Sequence, residues 1–159
     1  MAIFALSSSA QSIIGKWVSD LEKDGDGNMV FILNFKDKKN LEIGVECDMN
    51  DDDMAMNFSF VVTGTYQLDG DILKLALNTD DMKFDIKKMD FKGELAETIK
   101  ENPEMKETIQ KMVMDAIEGQ KNEIVDELPL DGELTISELT DTSLKISEGD
   151  EVTSFKRVK

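Results

Sequence analysis

Two long runs of strict alternation constrain this chain more than any other feature. Along 41–48, Leu41, Ile43, Val45 and Cys47 fall on one side and Glu42, Glu46 and Asp48 on the other. Along 54–68, Met54, Met56, Phe58, Phe60, Val62, Gly64, Tyr66 and Leu68 share one side, opposite Asn57, Ser59, Thr63, Thr65 and Gln67. Successive side chains of an extended strand point to opposite faces, so this period of two predicts strands with one face in a core. The second run ends at Asp69-Gly70. That pair suits a two-residue hairpin, because a type I′ turn needs positive φ at both central positions.

The same pattern, cut by turn formers, continues along most of the chain. Strands are expected at 13–21, 29–36, 73–77 and 82–86, the last with a bulge near 87–89 where its phase slips. Three more are expected at 133–139, 143–147 and 152–158. Between 93 and 125 the period changes. Ile109, Met112, Val113, Ala116 and Ile117 follow helical spacing. A short helix over 93–101 and a longer one over 103–125 follow, with Asn102 as N-cap, Pro103 in the first helical position and Glu104 at the positive helix end.

Eight or nine strands with tight connections and no strand–helix–strand alternation predict an antiparallel meander. A meander of this length must protect its edges, and closing into a barrel does so. The expected fold is a mainly β, antiparallel barrel of 8–9 strands with a helical insertion at about 93–125, before the last three strands. It makes one domain over 12–159.

Composition narrows the function. There are 34 acidic residues against 18 basic ones, a formal net charge of −16. Such a surface repels phosphates and anionic headgroups, so neither a nucleic-acid partner nor membrane insertion is expected. No stretch approaches the roughly 20 apolar residues of a spanning helix. The chain has no histidine, which removes the commonest general base and the imidazole metal sites. Its single Cys47 has no disulfide partner and reads as a small buried apolar side chain. No catalytic residue, metal site or cofactor is expected, and the chain reads as a non-enzymatic binding module. Residues 1–11, MAIFALSSSAQ, carry a short apolar run and then small residues. They read as the remnant of a secretory signal sequence, which points to a periplasmic or secreted protein.

Gly15-Lys16-Trp17 opens the first strand and Phe155-Lys156-Arg157 lies in the last. This pairing resembles the lipocalin and wider calycin pattern. The resemblance implies a barrel end where the Trp17 indole is covered by Arg157, a cation–π contact. With Gly64-Thr65-Tyr66-Gln67-Leu68-Asp69-Gly70-Asp71 and Leu139-Thr140-Asp141-Thr142-Ser143-Leu144, the chain resembles the small secreted lipocalin-like proteins of Bacteroidota. The helical insertion departs from the compact pattern.

Two acidic segments invite a calcium reading. Asp24, Asp26 and Asn28 imitate the start of an EF-hand loop, but Met29 and Phe35 stand where glycine and a bidentate glutamate belong. This is a hairpin turn. Glu46, Asp48, Asp51, Asp52 and Asp53 read as a solvated loop, with a weak Ca²⁺ site as the alternative. The stripe of Met54, Met56, Phe58, Phe60 and Val62 suggests a barrel lining for a small hydrophobic ligand, joined by Leu73, Leu75, Phe84 and Met112. The alternative is a solid barrel acting as a structural or protein-interaction domain, its partner unspecified. The helices would plug, gate or flank the mouth.

Overall fold

A computed structural model describes residues 12–24, 27–126 and 133–159. The segment 1–11 lies outside the described residues, as do 25–26 of the first turn. The strands are β1 (Gly15–Ser19), β2 (Glu22–Asp24), β3 (Gly27–Phe35), β4 (Asn40–Asn50), β5 (Met54–Asp69), β6 (Ile72–Phe91), β7 (Glu133–Leu139), β8 (Ser143–Glu148) and β9 (Glu151–Val158). All pairings are antiparallel, and each strand from β3 to β9 pairs with the next. β1 pairs with both β3 and β9, which closes eight strands into a ring. β2 continues the path of β1 along β3.

The expected strand at 13–21 is interrupted at Asp20-Leu21. Buried Ser19 spans the break: its hydroxyl donates to the Asp20 carbonyl at 3.0 Å and accepts from the Phe31 amide at 2.9 Å. The backbone change there leaves no polar group stranded in the core.

The strands expected at 73–77 and 82–86 are one strand, β6, of 20 residues. Its register explains the apolar phases. Val61 faces Lys83 and Thr63 faces Asn78, so residues 79–82 bulge opposite Val62. Five steps along β6 against two along β5 differ by an odd number, which turns the inward face from Leu73, Leu75 and Leu77 to Met82, Phe84 and Ile86. A second slip, at Lys87 between the pairs Asn57–Lys88 and Phe58–Ile86, turns it back to Met89 and Phe91. The bulge expected near 87–89 is thus present.

Three helices link β6 to β7: α1 (Gly93–Glu101), α2 (Glu104–Gly119) and α3 (Lys121–Asp126). The expected long helix is divided at Gln120. Pro103 is already in helical conformation, and Asn102, expected to cap α2, makes no side-chain cap bond; its carbonyl accepts the Met105 amide at 3.1 Å. α1 and α2 bury no residue, whereas Val125 of α3 is 3% exposed and belongs to the barrel core. The position of α3 follows from the strand lengths. β7 reaches β6 only at Ile72, Leu73 and Lys74. Above that level β6 has no strand partner on that side, and α3 lies against it. Ile124 packs on the same core.

The lower barrel is filled by Trp17, Phe35, Leu33, Leu41, Ile43, Leu144 and Phe155, all nearly inaccessible. Gly64 marks a tight spot in its wall. A Cβ there would stand 2.4 Å from the Ala76 carbonyl oxygen and 3.0 Å from the Leu77 Cα. Both are backbone atoms and cannot swing aside. Gly64→Ala should therefore lower stability by about 2 kcal/mol, read as a lower urea midpoint with an unchanged slope.

Candidate functional site

The two ends of the barrel differ in kind. At one end, Trp17 is fully buried and its Nε1 donates to the Ile13 carbonyl at 2.8 Å. The Arg157 guanidinium carbon sits 4.2 Å from the indole centroid. Register brings them there, since Trp17 and Arg157 are direct partners between β1 and β9. The guanidinium donates to three backbone carbonyls, those of Asp141 at 2.9 Å, Ile14 at 2.8 Å and Ser12 at 2.5 Å. One side chain thus ties the β7–β8 turn to the chain entering β1. Gly15 makes room for it: a Cβ would stand 2.7 Å from Nη1, and its φ of +137° disfavours any L side chain. Tyr66 packs edge-on against Phe35 at 4.9 Å and donates its hydroxyl to the Asp37 carbonyl at 2.5 Å. Burial, and then the Asp37 charge, push its phenol above the ordinary value. Asp37 organises the β3–β4 turn by accepting the Asn40 side chain and then the Asn40 and Lys39 amides, and these bonds hold its carboxyl below the usual range. This end is a sealed structural cap.

Among the described residues the other end is open. Two inward-facing rungs cross the sheet there, Met29–Cys47–Phe58–Ile86 and Gly27–Met49–Met56–Met89. They border a cavity of about 340 Å³ lined by Met29, Cys47, Met49 and Phe58, with Asp48 and Asp51 at its rim. Phe58 leans on Phe84 at 5.3 Å, with the rings tilted by 36°. Below the cavity, Phe31, Val45 and Phe60 form a buried floor.

Most of the expected lining divides between these levels. Phe58 lines the cavity and Phe84 supports it. Met56 is buried on the rung above, and Met54 lies half-buried opposite Phe91. Phe60 and Val62 are packed core. Leu73 is fully buried low in the barrel, opposite Leu68 and Leu134, and Leu75 packs on the core nearby. Met112 does not join the set: it is 65% exposed on α2, because α2 turns no residue into the barrel. Met29 and Met49 were not in the expected lining. Met49 lies past the end of the expected strand at 41–48, and only the β3–β4 register sets Met29 beside Cys47.

Cys47 is buried, and burial, followed by the neighbouring Asp48 charge, pushes its thiol up to about 11. The acidic loop does not gather its carboxylates. Asp51 accepts the Asp53 and Met54 amides, Asp48 accepts from the Asn57 amide group, and Glu46 pairs with Lys87 at 3.3 Å. Among the described residues no three Cys, Asp or Glu side chains converge as a metal site, and no helix is long and apolar enough to cross a membrane. No protein-family profile matches the chain, and no curated protein matches it either.

Arg157→Lys keeps the charge but loses the planar contact and the three-carbonyl fork. It should cost about 2 kcal/mol, measured by urea unfolding followed through the fluorescence of Trp17, the single tryptophan. For Cys47, alkylation of the folded protein should be slow at pH 7.5 and accelerate as pH rises toward 11, while the unfolded chain labels rapidly. The folded thiol holds its proton to higher pH than the unfolded one, so its contribution is complete below about 9 and is lost as pH climbs through 11.

Proposed function

We propose that this chain is a non-enzymatic, lipocalin-like binding barrel that takes one small, neutral, apolar molecule at its open mouth. The observation that carries the reading is the cavity of about 340 Å³ walled by Met29, Cys47 and Phe58 above a solid floor. Its size lies at the low end of small-molecule sites, which favours a ring-sized or short-chain ligand over a long acyl chain. Thioether walls adapt to varied apolar shapes. The acidic rim, with the net charge of −16, selects against anions. The lipocalin-like assignment rests on the G-x-W glycine, Trp17 and Arg157 acting together at the sealed end. The non-enzymatic reading rests on the lack of histidine and on a thiol held protonated well above neutral pH. A periplasmic or secreted location follows from the sequence of 1–11 and belongs to the same proposal.

A second reading has its own support. The lower barrel is solid, and Met112 and Met114 stand exposed on α2. These features suit an interaction domain whose working surface is outside the barrel.

Titration with a neutral solvatochromic dye such as Nile red separates the two. Binding of one dye per chain is expected, with Phe58→Gln weakening it about tenfold or more and Met112→Gln leaving it unchanged. No saturable binding, or equal sensitivity to both substitutions, would reject the mouth site and favour the external surface.

A further inference from the structure

Sulfur is distributed unevenly over the inner wall. The packed rung Phe31–Val45–Phe60 contains none, and Leu33–Ile43–Val62 meets a single methionine, Met82 in the β6 bulge. The two rungs at the mouth contain five sulfur side chains: Met29 and Cys47 on one, Met49, Met56 and Met89 on the other. Met29 lies directly opposite Cys47, and Met49 directly opposite Met56. Opposed residues of an antiparallel pair hold their Cβ atoms about 4.5–5.5 Å apart. Cys47 and Met49 are two residues apart on β4, about 7 Å along the strand. Three flexible sulfur arms, those of Met29, Cys47 and Met49, therefore line one cavity, and Met56 stands opposite Met49 beside it. Packing does not require this, since leucine has similar volume and is used lower in the barrel.

We infer that the mouth holds a site for one soft monovalent d¹⁰ cation of the Cu(I) class, ligated by the Cys47 thiolate and the thioethers of Met29, Met49 and Met56. Thiolate and thioether ligands select such ions over hard ones, and the chain offers no imidazole to compete. The charges also balance. Cys47–SH and M⁺ give Cys47–S–M and one H⁺, which passes to solvent, so the filled site is neutral and tolerates its apolar wall. Asp48 and Asp51 at the rim draw a cation inward, and Met49, 45% exposed, is placed to meet it first. The site does not depend on the mouth taking an apolar molecule, and each is tested by its own probe.

Ag⁺ serves as a redox-inert stand-in, added to the whole protein in chloride-free nitrate buffer. Native mass spectrometry should show one ion per chain. A lightly buffered titration should release one proton per ion, and Cys47 should resist alkylation once loaded. Replacing Met29, Met49 and Met56 together by leucine conserves volume. It should weaken binding at least tenfold while leaving the thermal midpoint near that of the parent. Should the triple substitution fail to fold, Met49→Leu alone, at the rim, should still weaken binding several-fold. Met112→Leu and Met114→Leu should leave it unchanged. No saturable uptake, uptake that survives the thioether substitutions, or loss on changing Met112 would each overturn the site.

Discussion

Everything else in this structure depends on β1 having two partners. A strand of only five residues pairs with β3 on one side and β9 on the other. Without it, β3 and β9 would each present an unpaired edge over a hydrophobic interior. So short a strand contributes few ladder bonds, and its hold is reinforced by side chains. Trp17 fills the barrel end beneath it, and Arg157 stacks on that indole while bonding to the Ser12 and Ile14 carbonyls. The conformation of Gly15 belongs to the same arrangement, since any side chain there would collide with the guanidinium.

The remainder of the ring is uneven in height. β5 and β6 rise far above β7, β8 and β9, and the two slips in β6 let one continuous strand serve both a lower and an upper wall. The gap beside upper β6 is met by α3 through Ile124 and Val125. The helical insertion therefore belongs partly to the wall, while α1 and α2 stay largely outside the core. Upper β6 also carries the exposed Lys83, Asp85, Lys87 and Lys88, charges that discourage pairing with another chain.

Much of the architecture was legible from residue order. Alternation placed Leu41, Ile43, Val45 and Cys47 inward, and all four are buried. The phase slip after Ile86 foretold a bulge, and it lies at Lys87. The change of period marked the helices. What failed to show has a common cause. The residues 78–81 look like a turn, and locally they behave as one: Asn78 donates to Asp81 at 2.7 Å and accepts the Asp80 amide at 3.2 Å. Yet β5 continues past them, so the turn chemistry is absorbed as a bulge inside one strand. Met112 was misplaced for a related reason. Helical periodicity identifies an apolar face but not what it faces, and only the short reach of β7 decides that α3, not α2, enters the core. The grouping of Met29 with Cys47 likewise follows from pairing between strands, which alternation within a strand does not encode.

The lengths and order of the strands also set a schedule for assembly. From β3 to β6 each strand pairs with the one that follows it, so this ribbon can form by successive hairpins with little loop-closure entropy. The seal between β1 and β9 is different, because it joins opposite ends of the described chain. During synthesis β1 emerges before its second partner. Until β9 is in place β1 has an unpaired edge, and a net charge of −16 disfavours association between copies. The ring therefore closes only where β9 meets β1, and the Trp17–Arg157 clasp lies at that closing seam.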